Sequence, residues 1–424
     1  MRLALLLTGN ELMTGDTVDS NSAMIASMSV EIGLQVAYKA TVSDDLDQLI
    51  SEIDRISSFA DVLIVNGGLG PTSDDLTAEA LAKVLDKPIC LHKDALTHLT
   101  GWCEARNYEL SEANRKQAML PEGIELVPNA VGTAVGFKAQ HRDCTVICTP
   151  GVPHELKTMM SDEILPALSR ELPELNRPKR CRLRVFGYGE STLQQQISET
   201  FPDWPNEVEL GFRASVPLLE VKLKVESQAH YELLDRWKEK IQGLLGDHIV
   251  TEDERPLAQV VIELLSEKNK KITFAESCTG GKIASLLTEV SGASSIFEAG
   301  FVTYSNEIKQ SLLGVSPNDL QREGAVSERV VQQMLMGALE QSGADIGVAV
   351  SGVAGPNGGT EDKPVGTVWI AWGGQDSIKS RQFYFPGNRI FFQKIVSALA
   401  LDLIRRELLG STQQPTYYTH RKRK

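Results

Sequence analysis

Long apolar runs and an excess of positive charge are both missing from this chain of 424 residues, and each absence excludes a class of protein. No apolar run approaches the roughly 18 residues that a helix needs to cross a bilayer, so we expect no membrane contact. The run Leu3–Leu7 is too short for the core of a signal peptide and predicts a first strand. The formal net charge of −13 argues against general nucleic-acid affinity.

Paired cysteines are also missing, since the six cysteines are scattered and none forms a CxxC pair. Cys144 and Cys148 lie in a strand-like run without a histidine at zinc-ligand spacing. We therefore expect a reducing, cytoplasmic location without disulfide bonds or structural zinc. The composition, 42% hydrophobic and 23% charged, is that of a globular protein, and the length predicts two to four domains. The basic end Arg421–Lys424 follows a polar stretch and is predicted to be solvated.

Strands and helices alternate through the first part of the chain. Buried-type strands are predicted at Leu3–Leu7, 36–41 and 61–65, and helices at about 21–33 and after residue 43. Such alternation predicts a mostly parallel sheet with helices on both faces.

A glycine-rich loop, GGLGPTSDD at 67–75, follows the strand at 61–65. Ligands of open α/β sheets bind at the carboxyl ends of strands, and glycines let backbone N–H groups approach a phosphate closely. Asp74 and Asp75 would then hold a divalent metal ion beside a diphosphate. The alternative is a simple turn in which one of the two aspartates caps the next helix.

The segment 271–281 carries the clearest signal for chemistry. A β-prone run reaches Ser277 and Thr279, then Gly280 and Gly281, and a helix with an apolar stripe follows. A strand–turn–helix of this kind exposes a hydroxyl beside free helix N–H groups, which suits a nucleophile next to developing negative charge. The alternative is that Ser277 or Thr279 serves only as a helix cap.

A lysine follows in a position to assist such a nucleophile. A strand-like segment that extends to Tyr304 precedes a short helix that Ser305 or Asn306 would cap, with Lys309 in its first turn. Close to a buried hydroxyl, desolvation would lower the pKa of Lys309 and let it take a proton from Ser277. The competing interpretation is a solvated helix lysine and an ordinary strand tyrosine.

Two further regions complete the pattern. A buried-type strand at 344–350 ends in SGVAGPNGG, a second candidate cradle for an anion. Residues 178–251 predict a small α+β unit, and because no GxxG loop lies between two helices there, we do not expect it to bind nucleic acid.

Several motifs together resemble the CinA family. The N-terminal motifs are GGLGPTSDD, NRKQAMLPEG, NAVGTAVGF and PGVPHE, and the C-terminal motifs are AESCTGG, GFVTYSNEIK, GAVSERV, SGVAGPNGG and KPVGTVW. The resemblance implies a multidomain α/β protein. Its parts would be a molybdopterin-binding-like domain at 1–170, a KH-like α+β linking domain at 178–251, an amidase domain at 256–410 and a polar basic tail at 411–424.

For the C-terminal domain, the resemblance implies a cofactor-independent nicotinamide-nucleotide amidase of the PncC type. Such an enzyme converts nicotinamide mononucleotide to nicotinic acid mononucleotide and ammonia in pyridine-nucleotide salvage. Ser277 matches the nucleophile, and Tyr304 and Lys309 match the groups that activate it. The matching substrate-binding positions are Thr279, Gly280, Gly281, Ser351, Gly352, Gly355, Gly358 and Arg389. Asn388 stands where the family usually has Asp, and Gln393 stands where a second basic residue is common.

For the N-terminal domain, the resemblance implies ADP-ribose pyrophosphatase activity with a divalent metal such as Mg²⁺, with or without a monovalent cation. The diphosphate cradle would be Gly67, Gly68, Gly70 and Thr72, and the metal ligands Asp74 and Asp75. Asn10 and Ser73 depart from the usual Thr and Lys. The family resemblance also implies a homodimer. Two alternatives remain: a molybdopterin- or nucleotide-binding protein with a silent C-terminal domain, and a non-enzymatic interaction protein of competence or DNA-damage responses.

Overall fold

The computed structural model describes residues 1–170 and 178–420, which form two compact units. One is drawn from Met1–Lys179 and Glu226–Ala229, the other from Arg180–Val225 and His230–Lys424. Residues 171–177, between the first two predicted domains, and the basic end at 421–424 lie outside the described residues. Within residues 1–170 and 178–420, no helix combines the length and apolarity needed to cross a bilayer.

The first unit contains a six-stranded sheet whose first four strands are parallel and whose last two are antiparallel to their neighbours. In spatial order the strands are β2 (Val36–Val42), β1 (Leu3–Thr8), β3 (Val62–Asn66), β8 (Cys144–Thr149), β7 (Gly136–His141) and β6 (Glu125–Val127). A separate pair consists of β4 (Ile89–Leu91) and β5 (Met119–Pro121). The predicted mostly parallel α/β sheet is confirmed.

Helices cover both faces of this sheet. They are α1 (Asn10–Thr14), α2 (Asn21–Glu31), α3 (Leu46–Ser57), α4 (Thr77–Val84), α5 (Lys93–Glu104), α6 (Glu112–Arg115), α7 (Pro153–Met159) and α8 (Leu165–Arg170), the last two joined by a π-helical turn at Met160–Ile164. Side chains of β1 alternate between two cores: Leu6 packs with α3 and α4, whereas Leu5 packs with α2 and α7. Because β1 is buried on both faces, its sequence is an almost uninterrupted apolar run.

The second unit contains two sheets. The smaller has the spatial order β10 (Glu209–Ser215), β11 (Leu218–Val225), β9 (Lys179–Val185) and β12 (Ile249–Thr251), and it carries α9 (Glu190–Thr200) and α10 (Tyr231–Leu245). The larger has the order β14 (Phe297–Val302), β13 (Ile272–Glu276), β15 (Ile346–Gly352), β16 (Thr367–Gly373) and β17 (Lys379–Tyr384). Its first three strands are parallel, and β16 and β17 are each antiparallel to the strand before them in this order.

The helices around the larger sheet are α11 (Leu257–Glu267), α12 (Lys282–Thr288), α13 (Asn306–Leu313), α14 (Pro317–Glu323), α15 (Glu328–Ser342), α16 (Arg389–Leu409) and α17 (Tyr417–His420). On β13, Phe274 packs into the core beside α11 and α16, and Ala275 packs into the core beside α13 and α15. The sheet is thus covered on both faces, with the carboxyl ends of β13 and β15 next to each other.

A buried cluster of charges ties the end of α16 to the smaller sheet. The fully buried Asp402 accepts from Arg405 Nε at 2.8 Å, from Arg406 Nε at 2.9 Å and from the Tyr417 hydroxyl at 2.7 Å. Arg405 also donates to the carbonyl oxygen of Ile249 at 3.2 Å. The stretch after residue 410, predicted as a polar tail, therefore supplies a buried tyrosine to this cluster.

Close packing of α15 against α13 depends on Gly337. A Cβ atom at this position would overlap the carbonyl oxygen of Leu313. We expect Gly337→Ala to lower the free energy of unfolding by about 1–3 kcal/mol, because backbone must move to admit the methyl group. Urea unfolding would measure the loss.

Gly243, on the exposed face of α10 in the same unit, is the matched control, because a Cβ atom there has no neighbour within 4 Å. Gly243→Ala should raise the free energy of unfolding by up to about 1 kcal/mol. Equal stability of the two variants would contradict the close approach of α13 and α15.

Candidate active site

Ser277 lies directly after β13, at the carboxyl end of the central parallel strand. Its N–H donates to the carbonyl oxygen of Val350 on β15 at 3.1 Å. Gly280 and Gly281 follow with φ of 65° and 94°, a left-handed conformation that glycine adopts at little cost, and α12 begins at Lys282. The predicted strand–turn–helix is confirmed.

The N-terminus of α12 is capped by a carboxylate rather than by a hydroxyl. Glu276, which is buried, accepts from the N–H groups of Gly281 at 3.0 Å, Ile283 at 3.1 Å and Ala284 at 2.9 Å. The interpretation of Ser277 or Thr279 as the helix cap is therefore wrong. Sequence reasoning missed Glu276, although an acidic residue just before a helix N-terminus was a usable signal.

Lys309 contacts Ser277 from the first turn of α13. Ser305 caps this helix, with its hydroxyl accepting from the N–H of Ile308 at 3.2 Å. Lys309 is only 1% exposed, and its Nζ lies 3.2 Å from Ser277 Oγ. The interpretation of Lys309 as a solvated lysine is therefore wrong.

The remaining partners of Lys309 determine where its lone pair points. Its Nζ lies 2.8 Å from the carbonyl oxygen of Thr303 and 3.2 Å from that of Tyr304. Carbonyl oxygens only accept, so a neutral amine gives its two hydrogens to them and turns its lone pair toward the hydroxyl of Ser277. Burial lowers the pKa of Lys309, although the negative charge of Glu307 acts in the opposite direction. The arrangement suits a general base for Ser277.

Tyr304 occupies a different place from the one predicted. The strand β14 ends at Val302, so Tyr304 lies in the following loop, where it is 60% exposed. Its hydroxyl accepts from Arg389 Nη2 at 2.7 Å, while Arg389 Nη1 donates to the carbonyl oxygen of Gly355 at 3.0 Å. Tyr304 thus approaches Lys309 through its backbone carbonyl, and its hydroxyl contacts Arg389 instead.

The N–H groups predicted to face an oxyanion are partly engaged elsewhere. The N–H of Gly280 donates to the carbonyl oxygen of Ser277 at 3.2 Å, and that of Gly281 donates to Glu276. The N–H groups of Gly280 and Gly281 are thus bonded within the turn and to the capping carboxylate. Thr279 is 2% exposed, and its hydroxyl has no hydrogen-bond partner among the described residues.

The predicted loop 351–359 begins with the last two residues of β15 and is connected to Arg389 through Gly355. The buried hydroxyl of Ser351 donates to the carbonyl oxygen of Ala325 at 2.7 Å. Gly352 is needed for packing, because a Cβ atom there would lie 2.7 Å from the carbonyl oxygen of Thr367. Gly355 and Gly358 have φ of 75° and 88°, which favour glycine. Ligand binding by this loop stays a prediction.

The first turns of α16 contact three loops of the site. Asn388 caps the helix by accepting from the N–H of Phe391 at 2.9 Å, a function that Asn performs as well as Asp. Arg389 and Gln393 are four residues apart, on one face of the helix. Gln393 Nε2 donates to the carbonyl oxygen of Cys278 at 2.9 Å. Burial raises the pKa of the Cys278 thiol to about 12, so this neighbour of Ser277 is not a thiolate.

In the first unit, the glycine-rich loop lies at the carboxyl ends of β1, β3 and β8, beside two adjoining clefts of about 570 and 510 Å³. A Cβ atom on Gly67 would lie 2.7 Å from the carbonyl oxygen of Thr8, and one on Gly68 would overlap the Thr77 hydroxyl. These two glycines therefore have a packing role. The larger cleft is lined by carboxylates of Glu11, Asp44, Asp74, Asp75 and Glu155.

Thr72 and Asp75, predicted to hold a diphosphate and a metal ion, are hydrogen-bonded to each other. Asp75 Oδ2 accepts from the N–H of Thr72 at 2.8 Å and from its hydroxyl at 2.6 Å, so the pair closes the turn at residues 72–75. Across residues 1–170 and 178–420, no group of three or more His, Cys, Asp or Glu side chains could hold a metal ion. A divalent metal ion held by Asp74 and Asp75 stays a prediction.

Comparison with known proteins matches both halves of the chain to described families. Residues 254–408 match the CinA C-terminal domain, and residues 4–170 match a probable molybdopterin-binding domain. A CinA-like protein of Colwellia psychrerythraea is 52% identical over 99% of this chain and 98% of its own length. The nicotinamide-nucleotide amidohydrolase PncC of Shewanella oneidensis is 39% identical over 97% of this chain and 96% of its own length.

The chain therefore belongs to the CinA family. Among solved structures, a competence/damage-inducible protein from Agrobacterium tumefaciens is 38% identical, covers 36% of this chain and 93% of its own, and has a TM-score of 0.35.

Proposed function

We propose that the C-terminal domain is an amidase that removes ammonia from nicotinamide mononucleotide. The contact between the buried Lys309 amine and the Ser277 hydroxyl carries this proposal, because the lone pair of a neutral Lys309 can point only at that hydroxyl. The name of the Shewanella oneidensis relative supports the choice of substrate.

In the proposed reaction, Lys309 takes the proton of Ser277 while Oγ attacks the carboxamide carbon. The C–N bond then breaks, and Lys309 returns the proton to the departing nitrogen, which leaves as ammonia. Lys309 next takes a proton from water as the water attacks the acyl-enzyme. It gives this proton to Ser277 Oγ when the ester bond breaks and nicotinic acid mononucleotide is released. One base thus serves both half-reactions.

The exposed guanidinium of Arg389 is proposed to bind the phosphate of the substrate together with the loop 351–359. Arg389 already bridges that loop and Tyr304. Because the phosphate is itself charged, its hydrogen bonds with the guanidinium would be stronger than those that the neutral hydroxyl and carbonyl accept.

The test is ammonia release from nicotinamide mononucleotide by the purified full chain in EDTA, with nicotinic acid mononucleotide identified chromatographically. Stoichiometric formation of both products supports the proposal. Absence of both products would contradict it.

The pH dependence of this reaction should report on Lys309. Because the base must be neutral, kcat/KM should rise with pH and level off above a pKa that lies below the ordinary lysine value of 10.5. Glu307→Gln removes a nearby negative charge that raises this pKa, so its profile should shift to lower pH. A shift to higher pH, or none, would contradict the assignment of the base.

We propose ADP-ribose hydrolysis as a second activity, in the N-terminal domain. The supporting observation is the pair of adjoining clefts along the glycine-rich loop, which together offer space for a nucleotide. Thermal shift with ADP-ribose, with and without Mg²⁺, and detection of AMP would test it. The homodimer and the cytoplasmic location stay predictions.

A further inference from the structure

The turn that carries Ser277 leaves few backbone donors for a ligand. The N–H of Ser277 is bonded to Val350, that of Gly280 to the Ser277 carbonyl and that of Gly281 to Glu276. In the described part of the chain, the N–H groups of Cys278 and Thr279 are left without an acceptor outside their own residues.

Gln393 fixes the peptide group that contains the second of these donors. Its Nε2 donates to the carbonyl oxygen of Cys278 at 2.9 Å. A carbonyl oxygen only accepts, so the amide nitrogen must be the contacting atom. In a trans peptide the C=O and the following N–H point in opposite directions. Holding the Cys278 carbonyl toward α16 therefore turns the Thr279 N–H away from α16.

Two donors of Thr279 then remain for the same ligand. Besides its N–H, its hydroxyl is almost completely buried without a partner among the described residues. Buried polar groups in proteins are almost always hydrogen-bonded, so this hydroxyl is free to bond to a ligand. Thr279 is two residues from the nucleophile, where the oxygen of a tetrahedral intermediate would form.

We propose that Gln393 is a positioning residue of the amidase site, which holds the Cys278–Thr279 peptide so that Thr279 donates to the oxyanion. This inference rests on the proposed amidase function. The same role is open to the basic residue that is common at position 393 in the family. A neutral amide and a basic side chain can both donate to the Cys278 carbonyl.

The test compares two replacements that differ in their ability to donate. Gln393→Met keeps the length of the side chain but removes the donor, and it should lower kcat for ammonia release by about tenfold or more, with KM within about threefold of native. Gln393→Lys keeps a donor and should retain most of kcat. Lys394→Met, at the exposed neighbouring position on α16, is the matched control and should behave as native.

A purely space-filling role would give the opposite ranking, since Met replaces the volume of Gln better than Lys does. Native kcat in Gln393→Met, or equal losses in the Met and Lys variants, would overturn the proposal. A Gln393→Met variant with raised KM and native kcat would overturn the proposal as well.

A second readout separates this inference from the choice of substrate. A fluorophosphonate forms a bond from Ser277 Oγ to phosphorus and expels fluoride, through an oxyanion that uses the same donors. If native protein releases no ammonia from nicotinamide mononucleotide, tenfold slower labelling of Gln393→Met than of native still supports the proposal. Equal labelling rates, or no labelling of native Ser277, would overturn it.

Discussion

Lys309→Met should reduce ammonia release from nicotinamide mononucleotide on the order of 10³-fold, because the variant loses the only amine in contact with the Ser277 hydroxyl among the described residues. Ser277→Ala should reduce ammonia release at least as strongly, since the acyl-enzyme can no longer form. The double variant should be no slower than Ser277→Ala alone, because groups that act as a unit are not additive. Steady-state ammonia assays on the three proteins measure this.

Lys268→Met, which removes an exposed lysine of the same domain, is the matched control and should keep native kcat. Activity that survives in Ser277→Ala would overturn the nucleophile. Activity that survives only in Lys309→Met would leave the nucleophile in place and overturn the base.

Asp402→Asn should lower the free energy of unfolding of the second unit by about 3–5 kcal/mol, the largest stability effect we expect. Burial would raise the pKa of Asp402, but the charges of Arg405 and Arg406 outweigh burial and lower it, so the group is ionised at neutral pH. Its removal leaves two buried guanidinium groups without their carboxylate. Urea unfolding, with hydrogen exchange of α16 amides to isolate this unit, measures the loss.

The control is Glu407→Gln on the same helix, where the ion pair with Lys379 at 2.7 Å is solvent-exposed. Exposed ion pairs contribute about 0–1 kcal/mol to the free energy of unfolding. A loss for Asp402→Asn no larger than that for Glu407→Gln would show that the buried cluster is not a major source of stability.

Features that depend on short stretches of sequence could be predicted. Apolar runs predicted the central parallel strands β1, β3, β13 and β15, and the glycine pair after Ser277 predicted the turn. Ser305, four residues before Lys309, gave a capped helix with a lysine in its first turn. The periodicity of strands and helices carries this information locally.

Contacts between distant segments could not be predicted in the same way. Gln393 contacts a carbonyl 115 residues earlier, and Tyr417 reaches Asp402 only because the chain turns back after α16. The oxyanion donors were partly wrong for a different reason. The sequence predicts free N–H groups at the start of α12, whereas in the structure Glu276 accepts from three of them.

The buried charged cluster on α16 limits where the chain can be cut to give fragments that fold on their own. Arg405 donates to the carbonyl oxygens of Asp247 and Ile249, which lie before the sequence boundary of the C-terminal domain at residue 254. Excision at that boundary would remove both acceptors and expose the guanidinium at the cut surface. A transferable catalytic fragment of this protein should therefore begin before Asp247 and extend through Tyr417, so that the guanidinium keeps its acceptors and Asp402 its hydroxyl partner.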